Sequence, residues 1–178
     1  VCKMLQKWSL EGKEMMVISV NFSRGTLLET NLIKTINAIQ TKYGIPRHYI
    51  EIEITESLGD VDRDLMIRMG RTISKEGYIL SLDDFGAKYS NISILSAVNF
   101  NVLKMDKTLI NDVFSNARSK VIIQNFLTSC KKLGIKTVAE GVETAEQYAV
   151  LKEMGFESIQ GYYINKPMSE KDFEKKYL

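Results

Sequence analysis

The chain has 178 residues, 44% hydrophobic and 26% charged, with a net charge of +2. That is the profile of a soluble globular chain able to bury one sizeable core, and so small a net charge leaves no general electrostatic footprint for a nucleic acid polymer. Cys2 and Cys130 are too few for a disulfide framework and favour a reducing, cytoplasmic setting, and no apolar run is long enough for a membrane segment, a signal peptide or an anchor.

Val1 to Trp8 reads as part of a helix, with Met4, Leu5 and Trp8 at i, i+1 and i+4, so the chain is expected to begin inside a domain. Gly12 breaks that pattern. Met15 to Asn21 follows as a strand whose nearly continuous apolar run predicts burial on both faces. Leu28, Leu32, Ile36, Ile39 and Tyr43 then recur at helical spacing until Gly44-Ile45-Pro46. His48 follows that turn and is expected in a surface loop. Ile50 to Thr55 is a second strand, and Asp60 is placed to cap a helix of Leu65, Met69 and Ile73 closed by Gly77. The third strand starts at Tyr78, runs into Asp83 and Asp84 and breaks at Gly86. Ser90 to Val98 predicts a short helix, Asn101 to Asp106 a fourth strand, and Ile122 to Leu133 an apolar helical stripe stopped at Gly134. Ile135 to Glu140 is the fifth strand. Thr144 and Gln147 form a capping box for a helix of Tyr148, Leu151 and Met154. Ser158 to Gln160 lies in a sixth strand, and Ser169 caps a last helix whose Glu170, Lys171, Glu174, Lys175 and Lys176 read as a solvated face.

Six alternations of strand and helix with short links are the signature of a parallel α/β fold. No glycine-rich phosphate loop follows the first strand, which argues against a dinucleotide-binding fold. A (β/α)8 TIM-type barrel takes about 250 residues. Residues 1–178 therefore read as one domain of about six of the eight βα units, lacking the first two strands. Such a segment alone is expected to expose sheet edges and to be a poor catalyst.

In a barrel the C-terminal ends of the strands converge on one mouth, where active sites are built. The first strand ends in Asn21; the second carries Glu53, with Glu56 just beyond it; the third ends in Asp83 and Asp84. Lys104 and Asp106 share a face of the fourth, Glu140 ends the fifth with Glu143 in its loop, and Gln160 ends the sixth. Several carboxylates at one mouth demand cations, because unpaired buried charge is costly. An all-oxygen set without histidine or cysteine suits Mg²⁺ or Mn²⁺ over zinc or copper. The adjacent pair Asp83 and Asp84 suggests two metals, as in phosphodiester hydrolysis, with Lys104 orienting water or neutralising a phosphoryl oxygen.

Six ordered segments carry a resemblance: Ser19-Val20-Asn21-Phe22-Ser23, Glu53-Ile54-Thr55-Glu56-Ser57, Asp83-Asp84-Phe85-Gly86, Leu103-Lys104-Met105-Asp106, Val138-Ala139-Glu140-Gly141-Val142-Glu143-Thr144 and Gln160-Gly161-Tyr162. Over essentially its whole length the chain resembles the EAL family of cyclic di-GMP phosphodiesterases. The resemblance implies a modified (β/α)8 barrel of the EAL kind that opens one phosphodiester of cyclic di-GMP to give linear pGpG. It also implies Asn21, Glu53 and Asp83 as ligands of one metal, Asp83 bridging to a second, and Asp84 as a ligand of that second ion. Lys104 and Glu140 would position and activate water, Glu140 as general base. Glu143 and Gln160 would support substrate or water, Asp106 would stand behind the ligands, and Glu56 would brace the loop after Asp84. Linked sensor domains and a homodimer are further implications. The Glu-Ala-Leu segment that names the family is absent, its place lying before Val1. The loop after Gly86 departs too, reading Ala87-Lys88-Tyr89-Ser90-Asn91 where the family has Thr-Gly-Tyr-Ser-Ser. A receptor that binds cyclic di-GMP without cleaving it, or a regulatory fragment, is the competing expectation.

Overall fold

Apolar residues at every second position build strands, and stripes of period 3.6 build the helices that cover them. The computed structural model describes residues 1–55, 63–87 and 92–178. Six strands, β1 (Ile18–Phe22), β2 (Ile50–Thr55), β3 (Ile79–Phe85), β4 (Val102–Met105), β5 (Lys136–Ala139) and β6 (Ser158–Ile159), form one sheet in sequential order. Every pairing is parallel. The helices are α1 (Cys2–Leu10), α2 (Arg24–Leu27), α3 (Leu32–Tyr43), α4 (Arg63–Lys75), α5 (Ser93–Ala97), α6 (Lys107–Ser115), α7 (Ala117–Leu133), α8 (Ala145–Met154) and α9 (Glu170–Tyr177). None of them is long and apolar enough to cross a membrane.

Parity divides the sheet into two unlike faces. Ile52, Ile54, Leu80, Leu82, Leu103 and Met105 are buried in the core. Between them, on the opposite face, stand Glu53, Ser81, Asp83 and Lys104, also buried. A sheet that hides polar groups on its inner face must supply them with partners, and this need shapes the site described below.

Several expectations change at the edges of elements. β1 starts at Ile18 and alternates between half-buried and exposed residues, with Val17 44% exposed. Among the described residues it pairs with β2 alone. Leu28 is exposed and precedes α3, whose C-cap Gly44 is left-handed as expected. Helix α5 is shorter than the predicted one. Helix α6 falls where none was expected, and α7 starts at Ala117, with the Asn116 side chain accepting from the backbone of Arg118 and Ser119. Asp60, Ser90 and Asn91 lie outside the described residues. The capping box of Thr144 and Gln147 and the cap by Ser169 are present. His48 is exposed in a short 3-10 turn beside Tyr49.

The face of α9 is not uniformly solvated. Glu174 accepts from Lys7 Nζ at 2.7 Å and from Trp8 Nε1 at 2.7 Å, and Phe173 stacks on Trp8 with ring centroids 6.0 Å apart. The last helix is thus clasped to the first. Hydrogen bonds from Lys7 and Trp8 hold the Glu174 carboxyl below its ordinary pKa. A depressed folded pKa contributes stability above the unfolded value, and that contribution is lost as pH falls through the folded one. Glu174→Gln is therefore expected to melt lower than the wild type at neutral pH. The gap should close on acidification below the ordinary carboxylate range, as followed by thermal melts across pH.

Candidate active site

Lys104 stands at the centre of the mouth. Its Nζ lies 3.1 Å from Glu53 Oε1, 2.9 Å from Asp83 Oδ1 and 2.9 Å from Glu140 Oε1. These carboxylates come from β2, β3 and the end of β5, and β4 brings the lysine between them. Burial alone would lower the pKa of the ammonium, but its contacts with Glu140 and Asp83 prevail and hold it above the ordinary lysine value. Lys104 is therefore a fixed cation here and not a proton donor at neutral pH. Burial pushes the Glu140 carboxyl up, with Lys104 opposing, which suits a group that must take a proton.

Two adjacent residues of a regular strand point to opposite faces. At the end of β3 that rule is broken. The register with β4 shifts between Leu82 and Phe85, and Asp84 has φ 58°, in the left-handed region that aspartate tolerates better than most residues. The turn brings Asp84 to the side of Asp83, while Phe85 stacks on Phe126 of α7 at 5.2 Å. Carboxylate oxygens of Asp83, Asp84 and Glu140 come to lie within 4.8 Å of one another. Burial, and then the charge of Asp83, raise the pKa of Asp84.

Four carboxylates around one ammonium leave an excess of negative charge. The donors are all oxygens, and Asp83 Oδ1 is buried without a directed hydrogen bond: the 2.9 Å approach of Lys104 is an ion pair whose angles do not make one. The cluster fits a hard cation, and Asp83, Asp84 and Glu140 can hold a metal ion.

The other expected residues are placed less tightly. Asn21 pairs with Glu53 in register but is exposed on the edge strand. Gln160, just past β6, donates its backbone N–H to Ala139 O and accepts from Val142 N, and is exposed. Glu143 is exposed, its backbone N–H donating to Gln147 Oε1 at 2.7 Å. Asp106 is engaged elsewhere: it caps α6, accepting from Thr108 N at 2.8 Å and Thr108 Oγ1 at 2.6 Å. Glu56 lies outside the described residues. Glu51, two residues before Glu53 on β2, has its carboxyl raised by burial, with the nearby Ser19 hydroxyl pulling it back. Ser81 went unnoticed in the sequence, where a serine between leucines carries no signal.

The turns between these ends leave no spare room. A Cβ on Gly161 would sit 2.1 Å from Val142 O and 2.3 Å from Val142 N. Gly161→Ala must therefore push apart the links after β5 and β6, which hold Glu143 and Gln160. It is expected to cost about 1–3 kcal/mol, as overpacking does, measured by denaturant unfolding.

The family model of the EAL domain matches residues 1–167. The chain is 32% identical over 167 residues to the cyclic di-GMP phosphodiesterase NbdA of Pseudomonas aeruginosa, covering 94% of this chain and 21% of that protein. It is 27% identical over 177 residues to the cyclic di-GMP phosphodiesterase PdeR of Escherichia coli, covering 99% and 27%. The chain thus spans only about a fifth to a quarter of these curated relatives. Among solved structures, the PaMucR phosphodiesterase in complex with c-di-GMP superposes with a TM-score of 0.85 at 27% identity, over 97% of this chain and 70% of that one. A standalone EAL protein from Vibrio cholerae, in its c-di-GMP-bound form, gives 0.81 at 30% identity, over 95% and 70%. The six-strand sheet is accordingly part of the TIM-barrel-like fold of those structures.

Proposed function

We propose, since the chain belongs to the EAL domain family, that it is a metal-dependent phosphodiesterase opening one ester of cyclic di-GMP to give linear pGpG. The reading rests above all on Lys104, whose ammonium gathers carboxylates from β2, β3 and β5 into one buried cluster. Asn21, Glu53 and Asp83 would hold one Mg²⁺ or Mn²⁺, with Asp83 shared and Asp84 holding a second. Such ions polarise a phosphoryl oxygen and lower the pKa of water. Glu140 takes the proton of the attacking water, and Lys104 keeps its carboxylate in place. Glu143 and Gln160, on the links beside the mouth, face the nucleotide. Asp106 supports the site through α6. The same reading places the chain in the cytoplasm, linked to sensor domains in a longer protein and paired as a homodimer.

The test is to incubate the chain, in its natural sequence context, with cyclic di-GMP and Mn²⁺ and to separate the nucleotides. The expected product is pGpG, formed only without chelator. Nucleotide bound but recovered uncleaved would make the chain a receptor instead, and failure to bind it would overturn both readings.

A further inference from the structure

Beneath the mouth, two buried side-chain oxygens receive no hydrogen bond from any group among the described residues: Ser81 Oγ and Asp83 Oδ1. Ser81 is 0% exposed, in the middle of β3, opposite Glu53 on β2 and Val102 on β4. Glu51 lies near enough for the Ser81 hydroxyl to act on its carboxyl, but not in the geometry of a hydrogen bond. A buried hydroxyl without a directed hydrogen bond is rare in folded proteins, and Asp83 Oδ1 has only the ion pair with Lys104 Nζ at 2.9 Å, which leaves room for a second donor. Here the two fall on the same face of one strand, two residues apart.

Two residues of a strand span about 6.6 Å. A water making hydrogen bonds of about 2.8 Å to each side bridges about 5.6 Å between oxygens. Side chains of the lengths of serine and aspartate close the difference. One water can donate to Asp83 Oδ1 and accept from Ser81 Oγ, satisfying both, and polar groups that enclose such a position are what retain internal water. We propose that a buried water bridges Ser81 Oγ and Asp83 Oδ1, and that Ser81 thereby acts as a positioning residue for the Asp83 carboxylate. The effect on metal binding rests on the metal site of the proposed function and not on its nucleotide substrate; the water itself rests on neither.

The experiment combines a high-resolution crystal structure with calorimetry of Mn²⁺ alone, on the wild type, Ser81→Ala and Ser81→Thr. The wild type should show a water within hydrogen-bond distance of both oxygens. Ser81→Ala should bind Mn²⁺ about tenfold more weakly, the lower end of the loss when an outer partner of a metal ligand is removed. Its melting temperature without metal should stay close to that of the wild type, and Ser81→Thr, which keeps the hydroxyl, should recover the affinity. A Ser81 hydroxyl bonded directly to a chain group, or Mn²⁺ affinity unchanged in Ser81→Ala, would overturn the inference, as would a wild type that binds no Mn²⁺. Should Mn²⁺ binding depend on Ser81 while cyclic di-GMP stays intact, the phosphodiesterase reading falls and this one stands.

Discussion

Lys104→Met should cost the metal-free protein about 3–5 kcal/mol, the usual loss when one partner of a buried ion pair is removed. For a chain of this size that is a fall in melting temperature of roughly 6–20 °C. The cause is the set of carboxylates left behind. Glu53, Asp83 and Glu140 would remain buried at one point with no cation between them. The pH dependence has a definite sign. The folded pKa of Glu140 already lies above its ordinary 4.5 through burial, and losing the lysine raises it further. A group whose folded pKa is raised keeps its stability below the unfolded value and loses it as pH rises through the folded one. The deficit of the variant should therefore be small near pH 4 and reach its full size at neutral pH. Urea unfolding in chelator at both pH values measures it, and a variant as stable as the wild type at neutral pH would show that Lys104 does not balance this cluster. Added Mn²⁺ should restore part of the loss.

Asp83→Asn and Asp84→Asn are each expected to lower Mn²⁺-dependent hydrolysis of cyclic di-GMP at least about a hundredfold. Removing a mere outer partner of a metal ligand costs 10–100-fold, and a ligand should cost no less. The fold should survive both changes. Asparagine, like aspartate, accepts the left-handed backbone found at Asp84, so that substitution changes charge without adding strain. Because burial and Asp83 make ionisation of Asp84 unfavourable, its neutral replacement should leave the metal-free protein as stable or slightly more so. For Asp84, turnover lost while stability holds is the signature of a charge placed for a cation. Calorimetry showing undiminished Mn²⁺ affinity together with normal turnover would remove Asp83 or Asp84 from the metal site.

The order of strands and helices was legible because buried parallel strands and amphipathic helices write different periods into the chain. Their ends were less so. β1 carries the apolar run of a central strand from Met15, but the strand itself begins only at Ile18, because an apolar run does not mark where ladder pairing starts. Helix α6 was hidden by Asp106, an acid that could be read either as a strand-end donor or as the cap it is. Among site residues, Glu53, Asp83, Lys104 and Glu140 could be grouped by parity, since each falls at the inner face of a strand end. Asp84 could not, because its approach to Asp83 depends on a left-handed residue and a register shift that alternation does not foresee. Glu174 looked like one charge among many on a polar helix. Its bond to Trp8 joins residues 166 positions apart, beyond the reach of any local pattern.

The sequential order of the strands also bears on how the chain is made. Each strand pairs with the one before it, so the sheet can grow as residues leave the ribosome. The charges do not arrive in so convenient an order. Once β1 to β3 have emerged, Glu53, Asp83 and Asp84 are present and Lys104 is not. An intermediate ending at β3 would have to bring these acids together without the ammonium of Lys104, which burial makes costly. In that sense Lys104, arriving on β4 after the acids of β2 and β3, is a late keystone of assembly.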